Sequence, residues 1–228
     1  MVGPSLGCSV VGMSSPGSLR FNIAISLDGY VAGPEQSEEN PIGIGGMRLH
    51  EWLFPLAVFN KTHGRGDEGE VNASTAVVEE WSANIGATIM GRNMFGPVRG
   101  PWGENPWRGW WDAEPPFHVP VFVLTHHERE PLEMKGGTTF HFVTDGIESA
   151  LQQARAAAGE RDVTIAGGAS TARQYLAAGL LDEIELSVVP VLLGSGERLF
   201  DGVGADIKLE QLRAVEAPGV THLKYRVL

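Results

Sequence analysis

The chain has 228 residues, 43% of them hydrophobic, which is enough to bury a core. Its formal charge is −11, from 17 basic and 28 acidic residues, so neither nucleic acid nor an anionic membrane is an expected partner. The single cysteine, Cys8, excludes an internal disulfide and a cysteine-based zinc site, and no run approaches the about 18 apolar residues of a membrane span.

Residues Met1 to Ser18 are small and uncharged, without the basic start and apolar centre of a signal peptide. Residues 1–18 read as a flexible leader and 19–228 as one domain, in a cytoplasmic protein. Leu19–Leu27 alternates and reads as the first strand, with Asp28-Gly29 turning the chain. A Gly- and Pro-rich loop over Gly33–Gly46 precedes a helix over Met47–Phe59, ended or kinked by Pro55. After the polar stretch His63–Gly69, Asn72 caps a helix from Ala73 to about Trp81.

Gly86–Met90 is a short buried strand, and Gly91–Phe95 leads into a helix start. The segment Pro97–Pro120 carries Trp102, Trp107, Trp110 and Trp111 among Gly and Pro. Further strands are predicted at Val119–Leu124, Phe140–Val143, Val163–Ala166 and Ile184–Val191, and helices at Gly146–Ala158 and Ser170–Ala178. Ile207–Glu216 and Thr221–Leu228 form a closing hairpin around Pro218-Gly219. Short strands alternating with helices predict an α/β fold in three layers. Its mixed, mostly parallel sheet has helices on both faces and a C-terminal antiparallel hairpin.

Three strand ends carry chemistry. In VTIAGGASTARQYL (Val163–Leu176) a strand ends in Gly167-Gly168 and a helix begins at once. Glycines allow close backbone approach, and the free N–H groups of the helix start favour an anion such as a pyrophosphate. Ala169, Ser170 and Thr171 complete that turn, with two hydroxyls able to cap the helix or meet a phosphate. In IMGRNMF (Ile89–Phe95), Gly91 passes into Arg92 and Asn93, and an arginine there forks onto a phosphate. In VLTHHER (Val123–Arg129), Thr125, His126 and Arg129 stand where a ribose phosphate would lie. Each also reads as a plain turn or a solvated loop. Their shared position at carboxyl ends of strands is where open α/β sheets collect ligands.

The order of these segments resembles the dihydrofolate reductase-like family, in the branch of the reductase (C-terminal) domain of the riboflavin-biosynthesis protein RibD. The resemblance runs from about Leu19 to Gly202. It rests on ISLDGYVAG, MGRNMF, VFVLTHH, IAGGASTARQYL and LLDEIELSVVPVLLGSGERLF. It implies NADPH as cofactor, held by Gly91 and Arg92, by Thr125 at the 2′-phosphate loop, and by the turn Gly167, Gly168, Ala169 and Ser170. It places Ala24 and Asp28 on the nicotinamide and substrate side, and implies a homodimer. Ala166 stands where riboflavin-pathway reductase domains usually carry a glutamate before the glycine pair.

The implied reaction is hydride transfer from NADPH to a small heteroaromatic substrate that is pterin-, pyrimidine- or flavin-like. Asp28 is the candidate general acid or substrate anchor, its pKa raised by partial burial; the other reading is that it only makes the Asp-Gly turn. Glu51, the one carboxylate in Met47–Phe59, is the second candidate. The four tryptophans are candidates for a lid over the substrate or for a satellite core. Ala166 keeps open a non-catalytic binding protein with the reductase fold. The seven histidines show no metal-ligand spacing, which leaves a metal hydrolase without support and no metal expected.

Overall fold

The computed structural model describes residues 17–104 and 106–228. Residues 1–16 of the expected leader lie outside them. Strands run over Leu19–Ser26 (β1), Tyr30–Ala32 (β2), Ile85–Gly91 (β3), Pro120–Leu124 (β4), Leu132–Glu133 (β5), Thr139–Val143 (β6), Asp162–Gly167 (β7), Glu183–Val189 (β8), Glu197–Arg198 (β9), Leu209–Ala217 (β10) and Val220–Val227 (β11). Helices span Ala57–Thr62 (α1), Ala73–Ser82 (α2), Arg92–Phe95 (α3), Ile147–Ala158 (α4) and Ala169–Ala177 (α5).

Nine strands form one sheet in the order β10-β11-β8-β1-β7-β3-β4-β6-β5. The six from β8 to β6 are parallel, the hairpin β10–β11 continues antiparallel at one edge, and β5 does so at the other. Side chains alternate between the faces as the pleat requires. From β1, Phe21 and Ile25 pack with Ala150, Leu151 and Ala154 of α4 and Ala172, Tyr175 and Leu176 of α5. From the same strand, Ala24 packs on the opposite face with Leu49, Trp52, Leu53, Leu56 and Val78 of α2. At the β4–β6 end of that second face, Phe95, Val121, Val123 and Phe140 gather the tryptophan-rich segment. The three layers and the closing hairpin are as predicted.

The helix predicted over Met47–Phe59 is not continuous. A 3-10 turn at Gly46–Leu49 gives way to irregular turns, and α1 starts only at Ala57. Pro55 offers no N–H and disfavours helical backbone at Phe54, so the apolar stripe is buried by turns instead. Asn72 caps α2 as expected: its side chain accepts from Ser74 N, and Thr75 closes a capping box. β2 and β9 pair in a separate two-stranded sheet, which joins the segment after β1 to the segment after β8.

One buried polar group lies in the hairpin. His222 on β11 is 0% exposed and faces Ser187 of β8. Its Nδ1 lies 2.9 Å from Ser187 Oγ and its Nε2 2.9 Å from Ser74 Oγ. Both ring nitrogens are thus satisfied by hydroxyls, which suit the neutral imidazole. Burial, with the nearby Arg213 charge adding to it, pushes its pKa down to about 4.

Candidate functional site

The parallel strands part at their carboxyl ends. β1 pairs with β7 only over Leu19–Phe21 against Val163–Ile165. Beyond that point Ile23 and Ala24 on one side, and Ala166 and Gly167 on the other, line an open cleft of about 940 Å³. The cleft continues across the ends of β3, β4 and β6 to Thr125, His126, Thr144 and Gly146.

The two glycine turns converge. A Cβ on Gly91 would collide with the hydroxyl of Thr171, so β3 and the start of α5 touch only because Gly91 lacks one. Gly167 has a φ of +125°, a conformation glycine alone adopts readily. Gly168 differs from both: its backbone is extended, and a Cβ there would meet nothing within 4 Å. That empty space belongs to the cleft. No side chain caps α5, so the N–H groups of its first turn remain available where Ala169, Ser170 and Thr171 line the wall.

Among the described residues, three arginines but only one carboxylate line the cleft, in a chain where acids outnumber bases. Arg92 donates from Nε to Val98 O at 3.1 Å and lies 3.0 Å from the centre of the Trp102 ring, while its Nη1 is buried without a hydrogen-bond partner. Burial, then repulsion from Arg129 and Arg99, pulls its pKa down to about 10. Among the described residues no carboxylate pairs with Arg92, Arg99 or Arg129. Unpaired guanidinium groups, free helix N–H groups and glycine-lined walls along one trough suit an elongated polyanion.

Most of the predicted site residues meet here. Ala24, Gly91, Arg92, Asn93, Thr125, His126, Gly167, Gly168, Ala169, Ser170 and Thr171 all line the cleft, as do Trp110 and Trp111. Arg129 does not: its guanidinium packs over Trp102 and Phe142 and donates to Trp107 O at 2.6 Å. Trp102 and Trp107 turn away as well. Their indole N–H groups donate to His127 O and Phe95 O, each at 3.0 Å, and their rings join the core around Phe95. Trp111 packs on the same core, stacked on Phe140 at 5.8 Å between ring centres, while also lining the cleft.

Asp28 also departs from the expected role. Its carboxylate accepts from Ser26 Oγ at 2.6 Å, Gly194 N at 2.7 Å and Leu193 N at 3.2 Å. The Ser26 bond, joined by the two backbone donors and opposed only by some burial, brings its pKa down to about 2. A raised carboxyl able to donate a proton is therefore not what forms. Asp28 fastens the turn after β1 to the loop before β9 and lies outside the cleft lining. Glu51 is exposed and also outside it.

Sequence reasoning passed over Arg173 and Gln174, which line the cleft one helical turn beyond Ala169 and Ser170. The helical spacing i to i+4 was the signal that could have found them. His127 and His50 line the cleft as well. Burial, opposed by a hydrogen bond to the backbone of Gly46, holds His50 below the usual histidine value, and its Nδ1 has no hydrogen-bond partner. The described residues hold no cluster of metal-ligating side chains, and no described helix is long and apolar enough to cross a membrane.

Solved structures share this architecture. A protein assigned to riboflavin biosynthesis in Shewanella sp. PV-4 superposes with a TM-score of 0.62 at 21% identity, over 92% of this chain and 99% of that one. RibD of Acinetobacter baumannii gives 0.56 at 18% identity, over 93% of this chain and 58% of that one. The fold is thus the three-layer α/β one expected from the sequence, and these two proteins share it. The family described as the RibD C-terminal domain matches residues 18–223, and the chain belongs to it. The uncharacterized protein YyaP of Bacillus subtilis is 33% identical over 85 residues. That match spans 37% of this chain and 45% of YyaP, less than half of either.

Proposed function

We propose that this protein is a reductase that binds NADPH along the cleft and reduces a small planar substrate at its β1 end. The observation that carries the reading is the convergence of Gly91 and Gly168 on one trough, with an uncapped α5 and an unpaired Arg92 beside it. The cradle fits the cofactor's diphosphate: Gly168 leaves open space, and the first turn of α5 offers N–H donors with a positive dipole end. The slot between Ala24 and Ala166 suits the flat nicotinamide, because the parted strands leave unpaired backbone on both sides.

NADPH supplies a hydride. The chain supplies position, exclusion of water and hydrogen bonds to the acceptor. Trp110 and Trp111, half-buried at the rim, give apolar area over the bound molecule. The family suggests pterin-, pyrimidine- and flavin-like rings as substrates. Turnover by a homodimer in the cytoplasm is part of the same proposal.

Preference for NADPH over NADH is expected to depend on Arg92. Arg92→Ala should weaken NADPH binding about tenfold and NADH binding much less, as measured by quenching of tryptophan fluorescence. Comparing the two cofactors cancels any general loss from removing the stack on Trp102. Equal losses would remove Arg92 from the 2′-phosphate. Saturable NADPH binding without oxidation across pterins, pyrimidines and flavins would favour instead a binding protein that keeps only the fold.

A further inference from the structure

The β1 end of the cleft differs from the arginine-lined end. Its walls are apolar, made by Ala32, Ile42, Met47, Trp52 and Leu53. The Trp52 N–H is already used, donating to Leu49 O at 3.0 Å. Two polar side chains line this end, Asn22 and His50; the His50 ring also meets the backbone of Gly46, and its buried Nδ1 has no hydrogen-bond partner. The one carboxylate among the described lining residues, Glu197, is held 2.7 Å from Arg173 Nη2 beside α5. Asp28 is fastened to Leu193 and Gly194, and Glu51 lies outside the cleft.

An amino-substituted heterocycle presents adjacent N–H donors, and its protonated form adds a positive charge. A carboxylate meets both demands best, accepting two hydrogen bonds and balancing the charge, whereas the backbone carbonyls of the slot could meet only the first. Among the described residues none is free in this cleft. A buried cation without one would carry a large desolvation cost. A neutral ring with carbonyl oxygens makes the opposite demand: apolar walls for its faces and donors for its oxygens. Asn22 and His50 can donate, and the remaining surface is apolar.

We infer that the substrate end takes an uncharged planar ring bearing conjugated carbonyls, a quinonoid acceptor, with His50 and Asn22 donating to its oxygens. This rests on the NADPH-reductase reading. NADPH would supply a hydride whose electron pair becomes the new bond at the acceptor, and the π pair it displaces would move through the conjugated system onto a carbonyl oxygen. One proton from solvent neutralises that oxygen, so one quinone, one NADPH and one proton give one hydroquinone and one NADP⁺. His50 stabilises the oxygen as negative charge develops on it.

The test uses the full chain with saturating NADPH, without oxygen, and follows NADPH oxidation with menadione or with a dihydropterin. Menadione should be reduced with saturation kinetics and the dihydropterin should not. His50→Ala should lower kcat/KM for menadione about tenfold with NADPH affinity unchanged, while His50→Gln, which keeps a donor, should retain most of it. A protein that binds NADPH yet reduces the dihydropterin in preference, leaves menadione unreduced, or ignores His50→Ala overturns this inference alone. Failure to bind NADPH overturns it together with the reading beneath it.

Discussion

Gly168→Val is expected to weaken NADPH binding at least a hundredfold, about 2.7 kcal/mol, while leaving the protein folded. The position is unusual among the cleft glycines. Its φ of −88° is ordinary for any residue, and a Cβ would meet nothing within 4 Å, so the substitution costs the fold little. The space a valine fills is the space in front of the first turn of α5. A diphosphate seated there would lose contact with the N–H groups and collide with the methyls. Thermal unfolding should shift little, and titration of tryptophan fluorescence should lose its saturable phase. Gly91→Val makes the contrast: it strikes Thr171 and should lower stability as well as binding. Unchanged NADPH affinity in Gly168→Val would mean that the cofactor's phosphates lie elsewhere.

Acid should weaken the fold through His222 before most carboxylates protonate. In the unfolded chain this histidine titrates near 6.5, and in the folded chain near 4, so the folded state resists the proton. Its stabilising contribution is complete above pH 6.5 and is lost as pH falls towards 4. The loss is about 2 kcal/mol at pH 5 and about 3 kcal/mol at pH 4, because each tenfold difference in proton affinity between the two states is worth about 1.36 kcal/mol. The ion pairs of Glu80 with Arg213 and Lys224 add acid sensitivity at lower pH, because that carboxyl is held below its usual 4.5. His50 and His141 are also held below the usual histidine value by burial and add to the slope below pH 6.5. Urea unfolding of the wild type and of His222→Gln isolates the one residue. The variant should be less stable at pH 7.5 and lose less between pH 7.5 and 5. Parallel slopes would show that His222 is not what titrates.

What the sequence revealed followed from local physics. Gly-Gly between an apolar strand and a helix start marked a tight turn at Gly167–Gly168, and that turn lies on the wall of the cleft. Alternation in β1, the Pro218-Gly219 turn and the Asn72 cap needed no knowledge of distant contacts. The two-stranded pairing of β2 with β9 was hidden because three- and two-residue strands show no period and are made by a meeting far apart in the chain. Asp28 shows the same limit. Its Asp-Gly turn was legible, with Gly29 at φ +88°, but two of the donors that hold its carboxylate down come from Leu193 and Gly194. Trp102 and Trp107 could not be told from Trp110 and Trp111, since an irregular segment rich in Gly and Pro gives no face to count from. The helix expected over Met47–Phe59, ended or kinked by Pro55, is instead a 3-10 turn and irregular turns before Pro55 with a short helix after it, because apolar spacing alone does not separate a helix from successive turns that bury the same stripe.

A crystal structure of the protein soaked with NADPH tests the central claim most directly. The account places the diphosphate against Gly168 and the N–H groups of Ala169 to Thr171, with the nicotinamide ring in the slot between Ala24 and Ala166. Density for the cofactor away from that slot, or phosphates that do not touch the start of α5, would contradict it.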